Sequence, residues 1–146
     1  MRPRALTWAL LAIATFALAR RWFDVVEVRG RSMVPTLRPG DRLLVVRAVA
    51  RPGDVVLAPD QRQAGRELIK RVNAVDARGV HLVGDNPAAS TDARAFGPVP
   101  AASVRWRALL RYWPLERFGR VPAPAHGWIP DHLDLASGAS NVRIRL

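Results

Sequence analysis

Between Phe23 and Val83 the apolar residues come in runs too short to build helices. Phe23–Val28, Arg42–Arg47, Val55–Ala58, Glu67–Val72 and Val80–Val83 each hold four to six residues rich in valine and leucine. Between them stand Arg38-Pro39-Gly40-Asp41, Arg51-Pro52-Gly53-Asp54 and Gly84-Asp85-Asn86-Pro87, all strong turn formers. Runs of this length, closed by Pro and Gly, read as β-strands, and a series of them reads as a mostly β domain. The two Arg-Pro-Gly-Asp segments each lead directly into an apolar strand, a local echo but not a repeat array. The expected domain occupies residues 22–120.

The N-terminus departs from this pattern. Met1-Arg2-Pro3-Arg4 precedes an uncharged run from Ala5 to Ala19, closed by Arg20-Arg21. Fifteen residues of helix span only about 22 Å, short of a hydrocarbon core of about 30 Å. Arginines at both ends can snorkel and make up part of the difference. Trp8 lies near one end and Trp22 just beyond the other, where interfacial aromatics sit. The expectation is a membrane anchor over residues 1–21, a single transmembrane helix with membrane lipid as its partner. Two other readings stay open: a signal peptide cut after Ala17-Leu18-Ala19, and a buried or surface helix. The positive-inside count, Arg2 and Arg4 against Arg20 and Arg21, barely favours an inside N-terminus.

At 146 residues the chain is one domain, with no cysteine for a disulfide or a thiolate metal site. Its net charge of +11 suits an anionic membrane surface, an acidic partner or a nucleic acid. No zinc-finger spacing, RNA-recognition signature or helix-turn-helix accompanies that charge, so nucleic acid is not expected as a partner. From Val104 to Phe118 aromatic and basic residues interleave: Trp106, Tyr112, Trp113 and Phe118 among Arg105, Arg107, Arg111 and Arg117. Such a stretch could stack bases or sit at a bilayer interface, and its plainest reading is an edge strand with solvated arginines. Residues 121–146 form a Pro-rich tail to which the sequence assigns no role. Oligomeric state is not set by anything in the sequence.

Lys70 is the only lysine in a chain with 23 basic Lys and Arg residues. Arginine stays protonated at any physiological pH, whereas a buried lysine can lose its proton and act as a base. In Arg66-Glu67-Leu68-Ile69-Lys70-Arg71-Val72, strand alternation puts Leu68, Lys70 and Val72 on one face. Lys70 thus points with apolar side chains toward a core or cleft, unless it is a leftover surface lysine. A base requires a group to act on, and Ser32 offers one. It opens Ser32-Met33-Val34-Pro35-Thr36-Leu37, on a turn whose geometry the proline restricts. A serine hydroxyl is too weakly acidic to attack unaided. His81 lies inside a strand, and His126 and His132 lie in the tail with no triad pattern, which leaves Lys70 as the candidate base. With a reference pKa near 10.4, a lysine must be brought down toward neutrality to serve, and burial does that.

Ser32 to Leu37, then Gly40-Asp41, then Gly53-Asp54-Val55-Val56, then Lys70-Arg71-Val72, then Gly84-Asp85-Asn86 with Ser90, Asp92, Arg94 and Gly97-Pro98-Val99 resemble the signal peptidase I (leader peptidase) family. The blocks run in family order over about half the chain. The small size and Arg111-Tyr112-Trp113-Pro114 resemble the compact branch, which includes the mitochondrial inner-membrane peptidases and the maturation protease of nickel-type superoxide dismutase. The resemblance implies a coiled antiparallel β-sheet serine–lysine protease domain behind an N-terminal transmembrane helix. It implies Ser32 as nucleophile, Lys70 as general base, Ser90 orienting the lysine amine, and Asp92 with Arg94 as a supporting ion pair. The Ser32 backbone N–H would donate to the oxyanion. Some relatives add a serine two residues earlier, where this chain has Gly30. Ala93 stands where the family usually has serine, and Asn73-Ala74-Val75-Asp76 replaces the usual Pro-Gly-Asp after the Lys-Arg-Val block.

The implied activity is removal of N-terminal signal or leader peptides from precursor proteins through an acyl-enzyme, without metal or organic cofactor. Whether the substrates are general preproteins or one dedicated protein, such as nickel-type superoxide dismutase, is left open. The implied location is a bacterial cell membrane, single-pass, with the catalytic domain outside the cytoplasm. Two rivals stand beside this reading. One is a LexA-type self-cleaving Ser–Lys protease, opposed by Pro35-Thr36-Leu37 and by the apolar N-terminus. The other is a non-enzymatic membrane-tethered basic module. A metal site from His126, Asp131, His132 and Asp134 is possible on spacing alone.

Overall fold

The computed structural model describes residues 3–89 and 97–123. Helix α1 (Pro3–Trp22) leads without a break into β1 (Phe23–Glu27). Then follow β2 (Arg42–Arg47), β3 (Val55–Pro59), β4 (Glu67–Asp76), β5 (Gly79–Val83) and β6 (Trp106–Trp113). They form one sheet in the order β1-β2-β6-β3-β4-β5, every neighbouring pair antiparallel. The mostly β expectation holds, and the five expected strands appear where the turn formers bound them. Register shifts in the β2–β6 and β4–β5 pairs mark irregularities of the kind that bend and twist a sheet.

The stretch expected as an edge strand with solvated arginines is instead central. β6 lies between β2 and β3, and Arg111 is buried within it. Its alternating arginines carry a solvent-facing signature, and what overrides it is the ion pairing available inside, described below.

β3 explains how one sheet makes two cores. Val55 and Leu57 pack with Val28, Met33, Leu37, Leu43 and Val45 on one face. Val56 and Ala58 pack with Val72, Val80, Leu82, Val99 and Val104 on the other. A strand buried on both faces needs an unbroken apolar run, and Val55-Val56-Leu57-Ala58 supplies it.

The two Arg-Pro-Gly-Asp segments fold alike. In each, the aspartate N–H donates to the arginine carbonyl at 3.0 Å, and the aspartate carboxylate accepts the arginine N–H, at 2.9 Å for Asp41 and 3.0 Å for Asp54. Gly40 and Gly53 adopt φ of 91° and 90°, the left-handed conformation that a Pro-Gly type II turn requires. The first turn then pairs with Val28 and the second with Val72, each through two backbone hydrogen bonds of 2.8 Å. Val28 leads into the loop carrying Ser32, and Val72 follows Lys70 by two residues. The sequence echo is therefore a pair of equivalent buttresses under the two segments that matter.

α1 has twenty residues, and its apolar side chains, among them Trp8, Leu10, Ile13 and Phe16, are exposed. Its main contacts with the sheet are with β1 and β2. Among the described residues no helix is long and apolar enough to cross a membrane. The transmembrane expectation is thus not met as it stands, because the uncharged run is short and alanine-rich and Arg4, Arg20 and Arg21 lie within the helix.

Leu43, fully buried with Met33 and Leu37, supports the Ser32 loop from below. Leu43→Ala should cost about 2–5 kcal/mol of unfolding free energy, read as a lower urea midpoint at unchanged slope.

Candidate active site

Residues 28–41 connect β1 to β2, and their shape follows from three buried apolar anchors, Val28, Met33 and Leu37. Met33 and Leu37 point into the core four residues apart, so the segment between them closes into a single turn. The Leu37 N–H donates to the Met33 carbonyl at 2.8 Å, and Val34 N–H to the Arg31 carbonyl at 3.2 Å. Ser32, next to the Met33 anchor, is left half-buried at the rim of a cleft.

Lys70 lies on β4 opposite Val56 of β3 and is only 3% exposed. The alternation argument placed it toward a core or cleft, and both descriptions hold. Lys70 and Ser32 line the same cleft of about 600 Å³. One wall is Glu27 to Met33, the other Arg62 to Lys70, with Ala89 between. Among the described residues lining it there is no histidine. His81 sits instead at the β4–β5 hairpin, its Nε2 3.0 Å from an Asp76 carboxylate oxygen. Gly30 also lines the cleft, with open space where a side chain would stand.

Arg71, on the opposite face of β4 from Lys70, is 2% exposed and has partners for all three guanidinium nitrogens. Its Nε and Nη2 donate to the two carboxylate oxygens of Asp85 at 2.8 and 2.7 Å. Its Nη1 donates to the Gly53 carbonyl at 2.8 Å and its Nη2 also to the Pro122 carbonyl at 3.1 Å. One residue past Asp85, the Asn86 N–H donates to the Ser32 carbonyl at 2.9 Å, and Asn86 Nδ2 to the Arg31 carbonyl at 3.2 Å. A continuous path therefore runs from the strand carrying Lys70, through Arg71, Asp85 and Asn86, to the backbone of Ser32. Sequence reasoning took Arg71 only as a member of the Lys70-Arg71-Val72 block. The available signal was an arginine inside an apolar strand and an aspartate in a Gly-Asp-Asn turn, each in need of an opposite charge.

Ser90, Asp92 and Arg94 lie outside the described residues, as do His126, Asp131, His132 and Asp134. Among the described residues no three acidic or imidazole groups gather as a metal site. Of the tail, residues 121–123 are described, and they belong to the domain. Val121 packs on the first core, and Pro122 accepts from Arg71.

A family model described as signal peptidase, peptidase S26, matches residues 2–78. The chain belongs to this family. Its S26 relatives include mitochondrial inner membrane protease subunit 1 of the frog Xenopus tropicalis, 37% identical over 75% of this chain and 80% of the relative. Mitochondrial ATP-independent inner membrane protease subunit 1a of Arabidopsis thaliana is 37% identical over 67% of this chain and 75% of its own length. Human mitochondrial inner membrane protease subunit 1 is 30% identical over 70% and 77%. Membership makes the chain a peptidase of the signal-peptide-processing class and bears out the resemblance to the compact branch. It also corrects one expectation. A bacterial cell membrane was inferred as the location, whereas these S26 relatives are mitochondrial inner membrane proteases of eukaryotes. The sequence motifs carry no information about compartment.

The Arg71–Asp85 pair is a strong constraint that a mutation can isolate. Asp85→Leu strands a buried guanidinium and should cost about 3–5 kcal/mol, whereas Arg71→Met with Asp85→Leu should recover much of that loss. Urea unfolding of the two variants beside wild type measures the difference.

Proposed function

We propose that this S26 peptidase is a serine endopeptidase that removes leader peptides, with Ser32 as nucleophile and Lys70 as general base. The observation that carries the reading is that Ser32 and the chain's single lysine, itself buried, line one cleft. Ser32 Oγ attacks the scissile carbonyl carbon as Lys70 Nζ takes its proton. The tetrahedral intermediate collapses, the C–N bond breaks, and the protonated lysine gives its proton to the leaving amine. Water, deprotonated by the same lysine, then attacks the acyl-enzyme ester, and the proton returns to Ser32 as the leader is released. Ser90 would orient the lysine amine, and Asp92 with Arg94 would form a supporting ion pair. The Ser32 backbone N–H would donate to the oxyanion. An extended precursor fits between the wall of Glu27 to Met33 and that of Arg62 to Lys70, where a peptide can add as a strand.

In this reading residues 22–120, with residues 121–123 packed on them, are the catalytic unit and α1 is a membrane anchor. Supporting the anchor are the outward-facing apolar side chains of α1, its arginines at both ends, and its sparse contact with the sheet. At the foot of α1, Trp22, Val49, Val75 and Val104 line an apolar hollow of about 550 Å³ flanked by Arg47 and Arg105. A twenty-residue helix is about 30 Å long, so its arginine ends can reach the two interfaces while the shorter apolar run lies between.

Two measurements check these readings. Purified wild type, Ser32→Ala and Lys70→Arg are incubated with a panel of leader-bearing precursors, one of them a nickel-type superoxide dismutase precursor. Wild type should cut, at one precursor for a dedicated enzyme or at many for a general one, and both variants should lose at least about 10³-fold in kcat. Activity retained by Lys70→Arg would exclude lysine as the base. Separately, full-length protein in phospholipid vesicles should stay with the pellet in alkaline carbonate, and Leu10→Arg with Ile13→Arg should release it. Release of the wild type would rule out the anchor.

A further inference from the structure

At the Thr36 end of the Ser32 turn, two arginines converge on one carboxylate. Asp41, 2% exposed, accepts Arg117 Nη1 at 2.8 Å and the Arg38 backbone N–H at 2.9 Å, and Arg111 Nη1 lies 3.6 Å away. Both guanidinium groups also donate to a single backbone oxygen, that of Thr36, Arg111 from Nη1 at 3.2 Å and Arg117 from Nη2 at 3.3 Å. The arginines are locked to each other as well: Arg111 Nε donates to the Arg117 carbonyl at 2.6 Å. The backbone curl from Arg111 to Gly119 closes through paired Arg111–Gly119 hydrogen bonds of 2.8 and 3.0 Å. The Arg111-Tyr112-Trp113-Pro114 segment, unexplained by the proposed chemistry, is the first half of that curl.

We infer that Arg111 and Arg117 are positioning residues for the nucleophile turn, holding Ser32 in place by gripping the Thr36 carbonyl oxygen against the buried Asp41. The inference rests on the reading of Ser32 as nucleophile. Thr36 lies at the carbonyl end of the one turn that Met33 and Leu37 close, where peptide dipoles concentrate negative charge and cations are favoured. A carbonyl has two lone pairs, and here each has a charged donor. Fixing Thr36 in this way fixes the far end of a turn whose near end is Ser32, itself held by Asn86. Burial, and after it the charge of Arg117, hold the Arg111 pKa below its ordinary value, with Asp41 acting in the opposite sense. Two cations therefore share this place only because Asp41 lies between them.

Arg117 is the residue to test, since it is partly exposed and its removal leaves Arg111 on Asp41. Full-length Arg117→Ala and Arg117→Lys are assayed on a leader-bearing precursor beside wild type and Ser32→Ala, with a thermal melt of each. Arg117→Ala should lower kcat about tenfold to a hundredfold, the cost of a small misplacement of a reacting group. KM and the shape of the kcat–pH profile should not change, because neither the cleft walls nor Lys70 is touched. Arg117→Lys keeps the charge but cannot fork between carboxylate and carbonyl, and should restore only part of the loss. An unchanged kcat, or a fall that merely follows lost folded protein in the melts, overturns the inference. The proposed function survives that result as long as wild type cleaves and Ser32→Ala does not. No cleavage of any precursor by wild type removes both.

Discussion

Buried charge holds this domain's working parts in register. Beneath the cleft lie two ionic nodes, Arg71 with Asp85 and Asp41 with Arg111 and Arg117. Taking such groups out of water costs several kcal/mol per ion, and hydrophobic residues of similar size would serve stability as well or better. What hydrophobic residues could not do is specify direction. Each guanidinium here also holds a backbone carbonyl, of Gly53 and Pro122 in one node and Thr36 in the other. The nodes thereby tie strand, turn and the segment at Pro122 into one arrangement, where apolar packing alone would tolerate small slips.

A division of labour between the basic residues follows. Arginine, with five donors in a rigid fork and a permanent charge, is suited to building, and in this chain it builds. Lysine, with one compact titratable amine, is suited to proton transfer, and only Lys70 is present. The high positive charge, which in isolation points toward a polyanion, is in part the consequence of using arginine as a structural connector. Arg71, Arg111 and Arg117 all spend their charge inside the domain or at its edge.

Much of the fold was legible because its signals are local. Pro-Gly turns and short valine-rich runs determine strands without reference to anything distant, and the Val55–Ala58 run even announces a strand covered on both faces. The cleft was legible in its two central members, since Ser32 belongs to a compact motif and Lys70 alternates with apolar neighbours. The rest depended on partners far apart in sequence. Nothing in Trp106–Trp113 by itself says that Arg111 is buried, because its carboxylate sits seventy residues earlier at Asp41. Likewise Arg71 and Asp85 are ordinary surface-type residues until the sheet brings them together. The N-terminal helix was legible as a helix, but its two signals conflict: the flanking arginines and tryptophans suit a bilayer, and the apolar run is shorter than a span requires.

Trp22 ends α1 and Phe23 begins β1, with no residue between them. The far end of β1, at Glu27, already lines the cleft, as does Val28 just beyond it. Five extended residues cover about 17 Å, so the helix foot stands one hydrogen-bonded strand's length from the near edge of the cleft. A peptidase on a slack tether samples cuts at many heights above its mooring. With α1 as the proposed anchor and Ser32 as the proposed nucleophile, that strand would act as a ruler, and a precursor's spacing between its own fixed point and its cleavage site would become a selection criterion independent of the residues at the cut.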